Sequence, residues 1–146
     1  MTLNNSNFQL ISHLEFLSHN TKKKLISIFE NEAKIEAVFL FGSAVKNQLR
    51  KESDLDFGIL VSEGNLFSGM ELLELSGEIE CVTKYRADLG IISKSNLIYS
   101  KEAILSGIRI FDRDPLTSDR KINLLLSMYY HFKDEMREIY NAYRIG

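Results

Sequence analysis

The feature that most constrains the fold is an apolar run, Ile35–Phe41, which ends at Gly42 and Ser43 and is followed, after ten intervening residues, by Asp54 and Asp56. The run is rich in Val, Phe and Leu, which favours a strand buried on both faces of a sheet. In a second strand that starts at the acids, alternation of side chains puts both carboxylates on one face, less than about 8 Å apart. The sequence therefore predicts neighbouring strands with a Gly-Ser turn beside a pair of acids.

A third acid, Asp88, lies in the apolar segment Ala87–Ile92, which we predict to be a further strand. Carboxylates that face one another repel, and one of them tends to hold a proton unless a cation neutralises the charge. Carboxylate, phosphate and water oxygens form a ligand shell that suits Mg²⁺, and such an ion neutralises charge on a polyphosphate. We therefore expect Asp54 and Asp56 to bind Mg²⁺. Asp88 would complete a second ion site or accept a proton from an attacking hydroxyl.

Gly42 and Ser43 suit the phosphate half of such a site. A glycine without a Cβ lets a phosphate approach the backbone, and the Ser43 amide and hydroxyl can donate hydrogen bonds to an anion. The basic residues that follow, Lys46 with Arg50 and Lys51, could steer a triphosphate toward the turn. Exposed loops are often basic without a function, so this role is the weaker part of the prediction.

Two further glycines, Gly58 and Gly90, each follow an acid by two residues and share its strand face. A position without a side chain leaves space beside the carboxylates, either for a ligand or for a packed helix. A plainer interpretation also exists, since a strand that begins Asp-Leu-Asp can simply be charged at its solvent end. The combination of turn, spacing and three acids favours a functional site over that interpretation.

Composition limits the class of protein. The 146 residues fit one domain, 1–146, and no repeat or low-complexity linker marks a second. A net charge of −2 argues against direct nucleic-acid binding. No apolar run approaches the roughly 20 residues that span a bilayer, and the N-terminus carries no signal pattern, so we expect a cytoplasmic protein without membrane contact. The lone Cys81 suits a reducing compartment and is expected to be a small buried apolar group.

Periodicity and turn residues predict an α/β (α+β) domain with a small mixed sheet flanked by helices and a long C-terminal helix. The predicted strands are Ile35–Phe41, Asp54–Val61, Ala87–Ile92 and Ile108–Phe111. The predicted helices are an opening one with Phe8, Ile11, Leu14 and Leu17, one capped by Thr21, a short one over 44–50, and those over Leu66–Ile79, Leu97–Leu105 and Thr117 to about Tyr143. In the helix over 66–79, the apolar positions are Leu66, Met70, Leu73 and Ile79.

The last predicted helix carries more apolar surface than one core contact requires. One stripe at helical spacing consists of Leu125, Met128, Phe132, Met136, Ile139 and Tyr143, and three more tyrosines widen it: Tyr129, Tyr130 and Tyr140. A helix that is apolar over so much of its surface can bury a second face against a partner. Core packing with scattered surface tyrosines would explain the same pattern equally well.

These residues resemble a known family. Gly42-Ser43, ten residues and Asp54-x-Asp56 match the signature of the polymerase-β-like nucleotidyltransferase superfamily. The segments 39–44, 53–58 and 87–92 look like its minimal nucleotidyltransferase (MNT) branch. Segments 102–107 and 110–114 are similar to the closing part of that branch, so the likeness spans roughly Ile35 to Asp114.

The resemblance implies a polymerase-β-like nucleotidyltransferase fold and a role as the antitoxin of a type VII HEPN/MNT pair. MNT proteins of this kind are thought to transfer AMP from ATP to a tyrosine of a HEPN-domain ribonuclease toxin. By matching positions, Gly42 and Ser43 would hold the nucleotide phosphates, Asp54 and Asp56 would bind Mg²⁺, and Asp88 would be the third acid. The chain has no Arg followed closely by His-x-Tyr, so it does not resemble the toxin itself.

Two other functions stay open at this point. The chain could be a nucleotidyltransferase that modifies a small molecule such as an antibiotic, although it is short for an enzyme that also needs a substrate-binding domain. It could also be a non-catalytic antitoxin that blocks its toxin by binding through the last helix. Occlusion and AMP transfer can coexist in one protein.

Overall fold

The computed structural model describes residues 5–45 and 53–144. Its five helices are α1 (Asn5–Ile11), α2 (His19–Asn31), α3 (Gly69–Thr83), α4 (Leu97–Ser106) and α5 (Pro115–Arg144). Its four strands are β1 (Ile35–Phe41), β2 (Asp54–Val61), β3 (Arg86–Ile92) and β4 (Ile108–Asp112). A single 3₁₀ turn, Gly42–Ala44, follows β1. The predicted α+β architecture with a small mixed sheet and a long last helix is confirmed.

The sheet has the order β3-β2-β1-β4, with β1 antiparallel to both of its neighbours and β2 parallel to β3. The central strand β1 is buried along nearly all of its length, as its apolar run predicts. Because β1 ends where β2 and β3 begin, the Gly-Ser turn and the first residues of β2 and β3 lie at one end of the sheet. We call this end the acid end.

Helices cover both faces of the sheet. On one face, α2 and α3 bury Phe29, Leu75 and Ile79 against the alternate β2 residues Leu55 and Phe57. On the other face, α4 and α5 bury a smaller cluster of apolar side chains, which contains Ala37, Phe39, Leu60, Ile92, Ala103, Ile122 and Leu125. Asp54 and Asp56 belong to this second face, as the alternation of the strand predicts.

A buried polar network joins β4 to the start of α5. The Ser118 hydroxyl lies 2.7 Å from each carboxylate oxygen of Asp112, and Arg109 donates to both Asp112 and Asp119, at 2.7 and 2.8 Å. The backbone amide of Asp112 also donates to the Asn7 side chain of α1. Asp112 is almost fully buried, and these donors satisfy its carboxylate, so the network fixes the direction in which α5 leaves the sheet.

Several predicted helix ends are wrong, each for a local reason. Ser18 rather than Thr21 caps α2, and Ser68 with Glu71 forms a capping box that starts α3 after Leu66 instead of at it. The long helix starts at Pro115, two residues before Thr117, because proline is favoured in the first helical turn. The Thr117 hydroxyl donates to the Asp114 carboxylate instead, and this hydrogen bond lowers the pKa of Asp114.

Two burial predictions are also wrong. Leu66, Met70 and Leu73 are largely exposed, and α3 packs through Leu75 and Ile79 instead. Its two glycines and irregular apolar spacing made the inward face ambiguous. Cys81 is exposed on α3 rather than buried. The predicted opening helix ends at Ile11, so Leu14 and Leu17 join the core from the turns that follow it.

Candidate active site

The three predicted acids lie on one face of the sheet at the acid end. In the parallel pairing of β2 with β3, Asp56 stands opposite Asp88 and Asp54 stands opposite Arg86. Paired residues of neighbouring strands project to the same side about 4.8 Å apart, and residues i and i+2 of one strand share that side. Asp54 and Asp88 are exposed and Asp56 is partly buried. The structure therefore brings together the three carboxylates that the sequence singled out.

Electrostatic repulsion is concentrated on Asp56. Its pKa is raised, first by burial and then by the negative charges of Asp88 and Asp54. A carboxylate placed between two others in this way favours a proton, a cation or a hydrogen-bond donor in the space they share.

Gly42 forms the wall of the site on the β1 side. Its backbone has φ +80°, a left-handed conformation that side chains with a Cβ rarely adopt. A Cβ built at Gly42 would overlap the Asp56 carboxylate oxygen Oδ2, so the glycine leaves room for that carboxylate. Ser43 and Ala44 complete the 3₁₀ turn, and the Val45 amide donates to the Gly42 carbonyl at 3.2 Å. The turn and the acids are thus neighbours, as the spacing predicts.

The basic residues proposed to steer a triphosphate are not placed. Lys46, Arg50 and Lys51 lie outside the described residues, as does most of the predicted helix over 44–50. The suggested role of Lys46 in nucleotide binding therefore stays a prediction.

Helix α4 fills the space that the two glycines leave on the acid face. A Cβ at Gly58 would lie 2.9 Å from the Cβ of Ala103, and a Cβ at Gly90 would overlap the ring of Tyr99. Of the two alternatives that the sequence left open, the packed helix is therefore the one observed. The glycines let α4 lie close to β2 and β3, directly beside the carboxylates.

Tyr99 is a site residue that the sequence did not reveal. Its hydroxyl donates to the Phe57 carbonyl at 3.1 Å, and its ring meets Phe41 edge to face, with centroids 5.5 Å apart. Its pKa is raised by burial and by the charges of Asp88 and Asp56, which places the phenol beside the acids. The only signal in the sequence was Gly90, which has no side chain and so leaves space for a large residue of a neighbouring helix. The sequence does not determine which residue of that helix fills the space.

The acids fit a metal ion that arrives with phosphate rather than one held by protein alone. Within residues 5–45 and 53–144, no three side chains of His, Cys, Asp and Glu form a group that could hold a metal ion by themselves. Mg²⁺ is usually bound by one or two carboxylates, with phosphate and water oxygens completing its octahedron. The donor set of Asp54, which is exposed, and Asp56, which is partly buried, is of that kind.

The sequence of this chain matches a known protein family. Residues 23–116 match the sequence family described as polymerase beta, nucleotidyltransferase, and this stretch covers more than half of the chain and all three acids. The chain belongs to this nucleotidyltransferase family.

A curated relative is similar to about half of this chain. It is the spectinomycin 9-adenylyltransferase of Campylobacter jejuni, 30% identical over 83 residues, which are 51% of this chain and 32% of that enzyme. The chain spans about a third of the length of this relative.

Solved structures share the fold over much more of the chain. A chain of a toxin-antitoxin complex with AMP-PNP superposes with a TM-score of 0.69 at 18% identity, over 84% of this chain and 98% of that one. A chain of the MntA-HepT toxin-antitoxin complex gives 0.66 at 16% identity, over 87% and 99%. A chain of the tri-AMPylated Shewanella oneidensis HEPN toxin in complex with its MNT antitoxin gives 0.65 at 17% identity, over 86% and 97%. At these identities the likeness establishes a common fold.

Across residues 5–45 and 53–144, no helix combines the length and the apolar character that crossing a bilayer requires.

Proposed function

We propose that this chain is the antitoxin of a HEPN/MNT toxin-antitoxin pair and a protein adenylyltransferase, which transfers AMP from ATP to a tyrosine of its HEPN-domain toxin. The observation that carries the proposal is the register of β2 and β3, which sets Asp56 against Asp88, with Asp54 on the same face and Gly42 beside them. The fold shared with toxin-antitoxin chains over nearly their whole length supports the same conclusion.

Each residue has a distinct task in this proposal. Gly42 and the Ser43 amide and hydroxyl receive the phosphates at the turn, and the missing Cβ of Gly42 lets the Asp56 carboxylate lie directly beside it. Asp54 and Asp56 are the metal ligands, and Mg²⁺ bound there with ATP would neutralise charge on the phosphates. The exposed position of Asp88 lets its carboxylate meet a hydroxyl that approaches from solution.

AMP transfer forms one bond at the α-phosphorus of ATP and breaks another. The tyrosine oxygen forms a bond to the α-phosphorus of ATP, and the bond from that phosphorus to the bridging oxygen of the β-phosphate breaks, which releases pyrophosphate. The phenolic proton passes to the Asp88 carboxylate, which acts as the general base. Asp88 stands opposite Asp56 in the sheet, so base and metal ligands face the same space. We place the reaction in the cytoplasm, where the exposed thiol of Cys81 stays reduced.

A second candidate, transfer of AMP to a small molecule, has one observation in its favour. The chain is 30% identical over 83 residues to the spectinomycin 9-adenylyltransferase, an enzyme whose name denotes a small-molecule acceptor. That match reaches 51% of this chain, whereas the toxin-antitoxin chains cover 84% to 87% of it. The larger coverage supports the protein acceptor.

The deciding experiment is intact-mass spectrometry of the HEPN-domain protein that we expect a neighbouring reading frame to encode, after incubation with the chain, ATP and Mg²⁺. We expect the toxin to gain one or more AMP groups with the wild type and none with the double variant Asp54→Asn, Asp56→Asn. Label from ATP that appears on a small molecule instead would support the second candidate. An unchanged mass gain with the double variant would refute the metal assignment.

A third candidate is neutralisation of the toxin by binding alone. The same double variant, tested in cells, distinguishes it from AMP transfer. If the variant still protects cells from the toxin, occlusion contributes to neutralisation alongside AMP transfer.

A further inference from the structure

The second half of α5 presents an apolar face that the described residues, 5–45 and 53–144, leave exposed. Every residue from Tyr130 to Arg144 is exposed, and the larger apolar side chains are exposed to different degrees: Phe132 37%, Met136 47%, Ile139 50%, Tyr140 63% and Tyr143 86%. We call residues 130–144 the outer segment of α5. Its side chains are those of a core-facing helix, yet they meet solvent.

This face continues the one by which α5 packs on the sheet. The first half of α5 buries Ser118, Ile122 and Leu125. At about 3.6 residues per turn, Met136 and Tyr143 lie in line with those positions. The same face of α5 is therefore buried in the first half of the helix and exposed in the outer segment.

The uncovered surface extends beyond α5. Phe132 and Ile98, the latter 67% exposed, line a shallow hollow of about 400 Å³ between the start of α4 and the outer segment. A monomeric protein rarely exposes an apolar patch larger than about 300–600 Å². Half a dozen large side chains that are on average half exposed approach the roughly 800 Å² per partner of a stable protein interface. The surface is therefore large enough to bind a protein.

Charges flank the apolar face in a segregated pattern. On one side lies Glu135, which His131 contacts at 3.0 Å. On the other side lies Lys133, whereas Arg137 and Glu138 lie farther round toward the back of the helix, at about 3.6 residues per turn. The acidic and basic flanks balance, which is unlike the uniformly basic polar face of a helix that binds a membrane or a nucleic acid.

This charge pattern opposes pairing with a second copy. In an antiparallel pair of identical helices, each flank meets the same flank of the other copy, so acids face acids and bases face bases. A parallel pair would match the charges. However, the sheet already occupies the space in front of the first half of α5, where the second helix and its own sheet would have to lie.

We propose that the outer segment of α5 docks an amphipathic helix of the partner protein whose tyrosine accepts AMP, an inference that rests on the proposed function. The partner helix lays an apolar stripe on Phe132, Met136 and Ile139. Basic residues on one of its sides face Glu135, and acidic residues on the other face Lys133. This docking surface lies beyond the end of the sheet opposite the acids, because α5 passes the last residues of β2, where Lys121 reaches the Val61 carbonyl.

The test uses the same HEPN-domain protein and a matched pair of variants. Ile139→Glu puts a charge into the apolar face, whereas Asn141→Glu adds the same charge on the opposite side of the same exposed segment. We expect Ile139→Glu to weaken binding of the HEPN protein by about 30-fold or more, as at an interface hot spot, and Asn141→Glu to change it by less than about twofold. Calorimetry measures both, and unchanged circular dichroism shows that α5 is intact.

A charge-reversal variant tests the flanks. Lys133→Glu should weaken binding several-fold, and more at low salt than at high salt, because flank charges act through screened attraction. If the variant binds the HEPN protein as tightly as the wild type does at every salt concentration, the proposed charge match is wrong.

The outcomes separate this inference from the proposed function. If the wild type transfers AMP to the HEPN protein and Ile139→Glu binds it as tightly as the wild type does, the docking surface is wrong and the function stands. If the wild type neither binds nor modifies the HEPN protein, both are wrong. A dimer of this chain alone that Ile139→Glu dissociates, seen by light scattering, would assign the surface to a second copy and overturn the inference.

Discussion

At the level of single residues, the site depends on a close approach between Gly42 and Asp56. The backbone of Gly42 is left-handed, and its missing Cβ leaves the space into which the Asp56 carboxylate extends. The same carboxylate carries the repulsion of Asp54 and Asp88. Gly42 thus supplies the left-handed backbone and the space at this point, and Asp56 supplies the charge that occupies it.

Replacing Gly42 by alanine should cost stability in two ways. A Cβ at positive φ costs about 1–2 kcal/mol, and displacement of Asp56 adds to that. Gly64→Ala is the matched control, since Gly64 has φ +77° and no atom within 4 Å of an added Cβ. Urea unfolding should show a larger loss for Gly42→Ala than for Gly64→Ala. Equal losses would mean that Asp56 does not press on the turn.

Asp56→Asn should stabilise the nucleotide-free protein at neutral pH. The pKa of Asp56 in the folded protein lies above its ordinary value of 3.8, so the folded state binds this proton more tightly than the unfolded chain does. Burial of the charged carboxylate and its repulsion by Asp88 and Asp54 therefore lower the stability as pH rises through the raised pKa, and both effects are absent below about pH 3.8. Because solvent screens this partly exposed group, we expect a gain of only a few tenths of a kcal/mol at pH 7.

Urea unfolding between about pH 3 and pH 8, the range in which carboxylates titrate, measures the gain in stability of Asp56→Asn. The gain should disappear at the acidic end. Asp134→Asn, which removes an exposed aspartate of α5, is the control for the loss of one carboxylate elsewhere in the protein. A pH-independent gain for Asp56→Asn would argue against charge repulsion as its cause.

At the level of helices and strands, the sequence predicts the sheet and its acids well because period-two alternation is a strong and local signal. Leu55 and Phe57 face one core and Asp54 and Asp56 face the other side, as the alternation requires. The faces of α3 were mistaken because exposed Met70 and Leu73 are as apolar as buried Leu75. Tyr99 was missed because its role arises from how α4 crosses β3, which only tertiary packing determines.

A pair of glycine variants separates helix propensity from helix packing. Gly77→Ala, within α3 and without neighbours around an added Cβ, should stabilise the protein by up to about 1 kcal/mol. Gly90→Ala should destabilise it by about 1–3 kcal/mol, because the added methyl group overlaps the Tyr99 ring. Thermal and urea unfolding of both variants give the comparison. A neutral Gly90→Ala would show that α4 does not pack closely on β3.

At the level of the whole molecule, the acids and the outer segment of α5 lie at opposite ends of the sheet. Asp54 and Asp88 stand near the first residues of β2 and β3, while α5 crosses the last residues of these strands before it extends away. A partner held by α5 would therefore have to reach along the sheet to offer its tyrosine. Binding and chemistry are consequently separable.

We expect the double variant Asp54→Asn, Asp56→Asn to bind the HEPN-domain protein within about twofold of the wild-type affinity, since distant sites act independently. Conversely, Ile139→Glu should bind AMP-PNP with Mg²⁺ as the wild type does, although it no longer holds the HEPN protein. Calorimetry with each ligand gives the four affinities. Loss of both ligands in either variant would contradict the separation.

The most direct test is a crystal structure of this chain with Mn²⁺ and AMP-PNP, in which the anomalous signal of manganese locates the metal. The account predicts a peak within coordination distance, about 2.0–2.3 Å, of carboxylate oxygens of Asp54 and Asp56 and of a phosphate oxygen, with the phosphates against Gly42 and Ser43. A nucleotide bound elsewhere, or bound at the turn with its metal away from both aspartates, would contradict it.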